Sequence, residues 1–295
     1  MAVRIIIILL ERVNLLCAIL TIKIGLNAIE EICMNIIRKI TDKVSSKLSA
    51  EGRELSRISK IPRYELGKTD LLGPEFKFVD SISFLHGYEE IFLDKIYNFK
   101  ASNKKPLIID CGANIGLATI YLKKLYPEAS VICFEPDPKI FEILKFNIES
   151  FAFKDVQLEN KAISDVDGTT TFYSEGGFSG SINNNVSDNK YDVETQRLSH
   201  FLTKKVNFLK IDIEGAENFV IHEIQNNLPQ VENIFIEYHS HVDEEQKLDE
   251  ILLMLKTAGF RYHILEAFVR SEPFINRETL LGMDCQLNII GFREN

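Results

Sequence analysis

The residue types that could do chemistry fall at intervals along the chain: Asp110, Glu135, Asp212, Glu214, Glu237, His239 and His241. Asp110 belongs to Leu107–Gly116, written LIIDCGANIG, in which Gly112 and Gly116 flank Ala113, Asn114 and Ile115. The spacing is D-x-G-x-x-x-G, so a carboxylate stands where the dinucleotide fingerprint G-x-G-x-x-G has its first glycine. A carboxylate there favours a cationic ligand over a pyrophosphate, and the glycines let that ligand approach the backbone. An acid suited to an ammonium group, on a strand that ends in a glycine turn, points to S-adenosylmethionine (SAM).

Glu135 lies 23 residues after Gly112, where nucleoside-binding α/β folds place the acid that accepts hydrogen bonds from ribose hydroxyls. Asn160, or a backbone group near Ala162, is placed to read a purine edge. Asp212 and Glu214 sit after another apolar run and arrive beside the glycines, because ligands of open α/β sheets lie outside the carboxyl ends of the strands at the topological switch point. His239 suits a general base, since the unperturbed imidazole titrates near neutrality. His239, His241, Asp212 and Glu237 could instead hold a divalent metal, but H-x-H spacing alone does not make a metal site and none is assigned. His86 and Tyr88 could contact a substrate, although a lone histidine beside an aromatic is more often structural.

These residues require a parallel sheet wrapped by helices. Strands are expected at 107–110, 131–134, 156–160, 206–211 and 234–236, with later ones at 260–265 and 285–290. Helices are expected through Leu117–Leu125, after Pro136 and Pro138, and over 245–256, with a turn at Gly259. Phe76–Asp80 alternates like a short strand, and 88–97 reads as a helix with Ile91, Phe92 and Ile96 inward; residues 76–105 would form a lid or entry wall. Asp167-Gly168 signals a hairpin between Ser164 and a strand at 169–173. The Gly- and Asn-rich run 176–185 reads as a long loop of the kind that closes over substrates.

Composition limits the function classes. The 295 residues are 45% hydrophobic, enough for one large core and a smaller appendage. Residues 1–60 carry a charge of +4 and the remainder −13, which leaves −9 overall. An acidic body is a poor phosphate binder, so nucleic acid is not the expected partner. The odd cysteines Cys17, Cys33, Cys111, Cys133 and Cys285 lack C-x-x-C spacing, so neither a disulfide framework nor a zinc cluster is indicated. That suits a reduced, cytoplasmic setting.

The amino-terminal segment has a different character. Glu11, Arg12 and Lys23 interrupt its apolar runs, which argues against a membrane span. No small-residue cleavage pattern follows them, so a signal peptide is not indicated either. Leu26, Ile29, Cys33, Ile36, Ile40, Val44 and Leu48 make an amphipathic helix, and Met34 could serve as an alternative start. Residues 1–48 suit a membrane surface, a helix packed on the catalytic body, or a helix packed on its twin in a homodimer. The polar stretch 49–63 is the expected boundary, which divides the chain into a helical extension, 1–60, and a main domain, 61–295.

In order, the chain carries IIDCGANIG, FEPDP, NKAIS, LKIDIEGAE and IEYH. Over about residues 76–265 it thereby resembles the FkbM family of SAM-dependent methyltransferases. The resemblance implies the class I methyltransferase fold, an α/β Rossmann-like seven-stranded sheet of order 3-2-1-4-5-7-6 with strand 7 antiparallel and helices on both faces. It implies O-methylation of a hydroxyl on a sugar, glycan or polyketide-like metabolite. Asp110, Gly112, Asn114, Gly116 and Glu135 would hold SAM, Asn160 and Ala162 would line its adenine, and Asp212, Glu214 and His239 would face the reacting hydroxyl. Two departures stand out: Cys111 replaces an aliphatic residue, and Thr195–Leu202 lacks the acidic pair common before LKIDIEGAE. A non-catalytic scaffold that docks through its amino-terminal helices is the competing reading. Nitrogen methylation is disfavoured, since no N-P-P-Y-type sequence follows the fourth strand.

Overall fold

The computed structural model describes residues 49–174, 180–181, 190–267, 272, 274–277, 279 and 282–293. The chain divides into two compact units, Met1–Lys60 and Ile61–Asn295. The described part of the first is one helix, α1 (Ala50–Ile58), whose first turn is capped by the Ser49 hydroxyl accepting from the Gly52 N–H at 2.9 Å. No helix among the described residues is long and apolar enough to cross a membrane. The expectations for residues 1–48 lie outside the described residues, as does most of the loop 176–185.

The second unit is built on a seven-stranded sheet. Its strands are β3 (Leu107–Cys111), β4 (Ser130–Phe134), β5 (Val156–Glu159), β10 (Val206–Ile211), β11 (Val231–His241), β12 (Arg261–Glu266) and β13 (Met283–Phe292), in the order β12-β13-β11-β10-β3-β4-β5. Counting these seven alone from the amino end, the order read from the other edge is 3-2-1-4-5-7-6. All neighbours are parallel except β13, which runs antiparallel to β11 and β12. Every residue of β3 and β10 is buried, the polar Asp110, Asn207 and Lys210 included, as strands covered on both faces require. Their register sets Asp110 opposite Lys210 and Cys111 opposite Ile211.

Helices α3 (Leu117–Leu125) and α4 (Pro138–Ser150) follow β3 and β4, α5 (Glu217–Glu223) follows β10, and α6 (Leu248–Thr257) precedes β12. The start of α4 has a chemical cause: Pro138 is preset for the first turn, and Asp137 Oδ1 accepts from the N–H groups of Lys139 and Ile140. The main core spans the sheet from Leu107 and Ile109 to Leu209, Ile211, Ile234 and Ile289, with Val220 and Ile221 of α5 packed on it.

Two expectations change. The Asp167-Gly168 turn does not make a hairpin of its flanking strands: β6 (Ala162–Ser164) and β7 (Gly168–Ser174) are separated by β9 (Lys190–Arg197), which pairs parallel to β6 and antiparallel to β7. A strand the sequence pattern did not disclose takes the place of a local partner, in a second sheet of order β6-β9-β7-β8 whose short edge strand is β8 (Gly180–Ser181).

The expected helix over 88–97 also moves. An α-helix, α2 (Ser81–Tyr88), starts earlier because Asp80 caps it, accepting from the Ser83 N–H and hydroxyl and pairing with Arg63. It continues into one π turn, Glu89–Leu93, which holds an extra residue and breaks the 3.6-residue period used to place the helix. This segment follows the two-stranded ribbon of β1 (Gly67–Thr69) and β2 (Phe76–Phe78). A row of rings, Phe78–Phe84 at 4.8 Å, Phe84–Tyr88 at 6.2 Å, Tyr88–Phe92 at 5.3 Å and Phe92–Tyr121 at 5.4 Å, fastens it to α3.

Candidate active site

The turn after β3 and the turn after β10 are in contact, and that contact makes the site. The Asp212 N–H donates to the Cys111 carbonyl at 3.1 Å. Gly112 has a φ of +82°, and a Cβ there would lie 1.8 Å from the Asp212 carbonyl oxygen, so no other residue fits. Lys210, inside β10 and 3% exposed, ties the same two turns: its Nζ donates to the Gly112 carbonyl at 2.9 Å and lies 3.0 Å from Asp212 Oδ2 and 3.5 Å from Asp110 Oδ1. Burial opposes the charge on Lys210, but Asp212 and Asp110 push its pKa well above the ordinary lysine range. Burial raises the pKa of Asp110, against the pull of Lys210 and of the Thr119 hydroxyl, which donates to its Oδ2 at 2.8 Å.

A cavity of about 450 Å³ opens at the ends of these strands. On the β3–β4 side its wall includes Gly112, Asn114, Glu135 and Ala162. Glu135 is 6% exposed; one carboxylate oxygen accepts from the Asn114 N–H and the other from the Asp137 N–H, each at 2.9 Å. Burial raises its pKa to about 8, although those N–H groups act the other way. On the β10–β11 side the wall includes Lys210, Asp212, Glu214 and Glu237, and Glu90 and Tyr97 close it from the π turn and the chain beyond. Gln286, on β13, lines it too. Burial, then Asp212, lift Glu237 to about 8.

His239 is 4% exposed and stands behind this wall. Its Nδ1 lies 3.1 Å from Glu217 Oε1, and its Nε2 lies 3.6 Å from Glu214 and 3.8 Å from Glu237. Burial disfavours its charged form, but Glu217 and Glu214 outweigh that and hold its pKa well above the ordinary imidazole value. Donor-type atoms of Asp212, Glu214 and His239 all lie within 4.8 Å of one another.

Of the ten residues read from the sequence, Gly112, Asn114, Glu135, Ala162, Asp212 and Glu214 meet on the cavity wall. The other four are not part of it. Asp110, expected to offer its carboxylate to a ligand, is fully buried and meets Lys210 and Thr119 instead. Gly116, with a φ of +94°, lets α3 begin against Leu144. Asn160, expected at the purine edge, donates its amide to the carbonyls of Glu135 and Pro136, while its neighbours Lys161, Ala162 and Ile163 reach the wall. His86 lines the cavity, whereas Tyr88 is buried in the ring stack. Lys210 was missed although its signal was present, a lysine within an apolar run expected to be buried on both faces. Glu90 and Gln286 come from remote elements and gave none.

A sheet of this order, with a glycine turn and a buried acid at its switch point, defines the class I SAM-dependent methyltransferases. The donor set fits the cofactor: Glu135 is buried yet lines the cavity, and the wall across from it is rich in carboxylates that suit a cation. The chain belongs to the FkbM methyltransferase family, whose domain model, Methyltransferase FkbM domain, matches residues 110–262, more than half of the chain. Methyltransferase 1 of Beauveria bassiana is 30% identical over 206 residues, spanning 61% of this chain and 81% of its own. The 2-O-methyltransferase NoeI of Sinorhizobium fredii is 30% identical over 155 residues, 45% of this chain and 63% of its own. The 31-O-demethyl-FK506 methyltransferase FkbM of Streptomyces tacrolimicus is 25% identical over 212 residues, 59% and 80% of the two chains. The protein is thus a SAM-dependent methyltransferase.

Proposed function

We propose that the protein methylates a hydroxyl group on a sugar, glycan or polyketide-like metabolite. The observation that carries this reading is the presence of two partly exposed carboxylates, Asp212 and Glu214, on the wall of the cavity that Gly112 and Glu135 also line. The names of NoeI and FkbM, each an oxygen methyltransferase by its own title, support the acceptor class.

SAM supplies an electrophilic methyl group, and transfer to oxygen is an in-line displacement, so the chain's work is to align, to exclude water and to take one proton. Glu135, with the Gly112–Asn114 turn, holds the nucleoside side of the cavity. Asp212 takes the hydroxyl proton and Glu214 orients the hydroxyl. His239 stands behind Glu214, its Nε2 3.6 Å from that carboxylate, and supports it from there. The wall favours a neutral or cationic acceptor, because an anionic group would face Asp212 and Glu214 with Lys210 already paired to Asp212.

The test is a panel of neutral glycans, amino sugars, sugar phosphates and polyketide alcohols incubated with labelled SAM and scored by mass shift at oxygen. Transfer to a neutral or amino-bearing hydroxyl compound supports the reading. Transfer only to nitrogen, or only to the phosphorylated members, overturns it.

A further inference from the structure

Glu217 lies outside the cavity wall, has no part in the roles above, and is 1% exposed. Its carboxylate nevertheless joins two parts of the reacting half. Oε1 accepts from the Ile213 N–H at 3.1 Å, both oxygens accept from the Gly215 N–H at 3.1 Å, and Oε1 lies 3.1 Å from His239 Nδ1. The two N–H groups belong to the turn that carries Glu214, whose φ of +57° is a conformation that side chains other than glycine adopt only when held. One buried carboxylate therefore fixes the turn from one side and the imidazole from the other.

We infer that Glu217 is the positioning residue of the acceptor half: it locks the Asp212–Gly215 turn and the ring orientation of His239 together, so that Glu214 is presented to the acceptor at a fixed place. The inference rests on the methyl-transfer reading for its kinetic consequence but not for its structural one. Three features separate this role from plain support. A carboxylate at this depth needs partners to offset its desolvation, and those of Glu217 are the turn and the His239 ring, while the start of α5 takes no side-chain cap. The bond to Nδ1 leaves Nε2 as the ring atom that faces Glu214 and Glu237, the way a second-layer carboxylate sets the orientation of a working histidine. The groups that face the ring are Glu217 from α5, Glu214 from the turn, Glu237 from the ring's own strand β11 and Gln286 from the neighbouring β13; of these Glu217 alone also holds the turn.

The experiment compares Glu217→Gln and Glu217→Ala in the full chain. Glutamine keeps an oxygen for the two backbone donors and gives up the charge; alanine gives up both. Expected for Glu217→Gln are a SAM affinity within about threefold of the native protein, a kcat at least tenfold lower with KM for SAM unchanged, and loss of the protected ring N–H resonance of His239, assigned by its absence in His239→Gln. Glu217→Ala should lose the resonance, turnover and thermal stability together. Native turnover and a native His239 resonance in Glu217→Gln would overturn the inference. So would equal losses of SAM affinity and stability in the two variants, which would make Glu217 structural only. If no acceptor is methylated by the native protein, the proposed acceptor class fails, and the His239 resonance with SAM calorimetry still decides the place of Glu217.

Discussion

The two halves of the cavity are built by different means. On the β3–β4 side, ligand-facing chemistry comes from backbone: a turn with Gly112 and Asn114 at positive φ, and one acid, Glu135, held by two N–H groups. On the β10–β11 side it comes from side chains whose charges answer one another: Lys210 with Asp212 and Asp110, Glu217 with His239, and Glu237 beside His239. A backbone cradle tolerates changes in its neighbours because its donors are fixed by the fold. A charge network does not, since removing one member strands the others in a dry environment.

The largest expected effect falls on the acceptor half alone. Asp212→Ala should lower kcat by about 10²–10⁴-fold, the usual worth of a general base, while SAM affinity measured by calorimetry stays within a few-fold. Equal losses in both would erase the distinction between the halves. Lys210→Met should cross it: the variant strands Asp110 and frees the Gly112 carbonyl, so SAM affinity and turnover fall together and chemical denaturation shows a loss of about 3 kcal/mol.

Glu135 provides a smaller, pH-dependent effect on the cofactor half. Its pKa is raised in the folded protein, so the native state binds the proton more tightly than the unfolded chain. Its contribution to stability is therefore most favourable below the ordinary carboxylate range and declines as pH rises toward about 8. The slope is at most about 1.4 kcal/mol per pH unit. Melting curves of the SAM-free protein across that window should show this decline, and Glu135→Gln should flatten it. The smallest effect belongs to Asn160→Ala, which removes amide bonds to two carbonyls and should cost about 1 kcal/mol in stability with SAM affinity nearly unchanged. A hundredfold loss of SAM affinity would return Asn160 to the purine edge.

The same contrast governs how much could be read before the fold was known. Leu107–Ile109 and the mostly apolar Val206–Ile211 announce buried parallel strands, and the glycines and Glu135 sit at fixed offsets from the first. Gly112, Asn114, Glu135 and Ala162 could therefore be placed on the wall from such offsets, whereas Asp110, Gly116 and Asn160 could not be told apart from wall residues. Asp212, Glu214 and His239 were found as types, but their partnerships were not, because Glu217, Glu237 and Lys210 acquire roles only through distances set by three elements at once. His239 illustrates the difference: its residue type suggests a base, and its pKa is set by the carboxylates of Glu217 and Glu214, which hold it well above the ordinary imidazole value. The second sheet was hidden for another reason. Ala162–Ser164 pairs with Thr195–Arg197 across a long separation, and no local turn chemistry encodes a parallel partnership of that kind.

The π turn at Glu89–Leu93 has an ancestry-like consequence. Its wide loop, closed by the Asp94 N–H on the Glu89 carbonyl at 2.9 Å, contains one residue more than an α-turn, and Glu90 reaches the cavity from within it. Delete a single residue there and the ordinary helix is restored, with the positions downstream of the cut turned by about 100° about the axis. A one-codon loss would thus silence or re-aim this wall without touching any residue of the five sequence motifs. Length at this point, and not only side-chain identity, is part of what the family member's active site inherits.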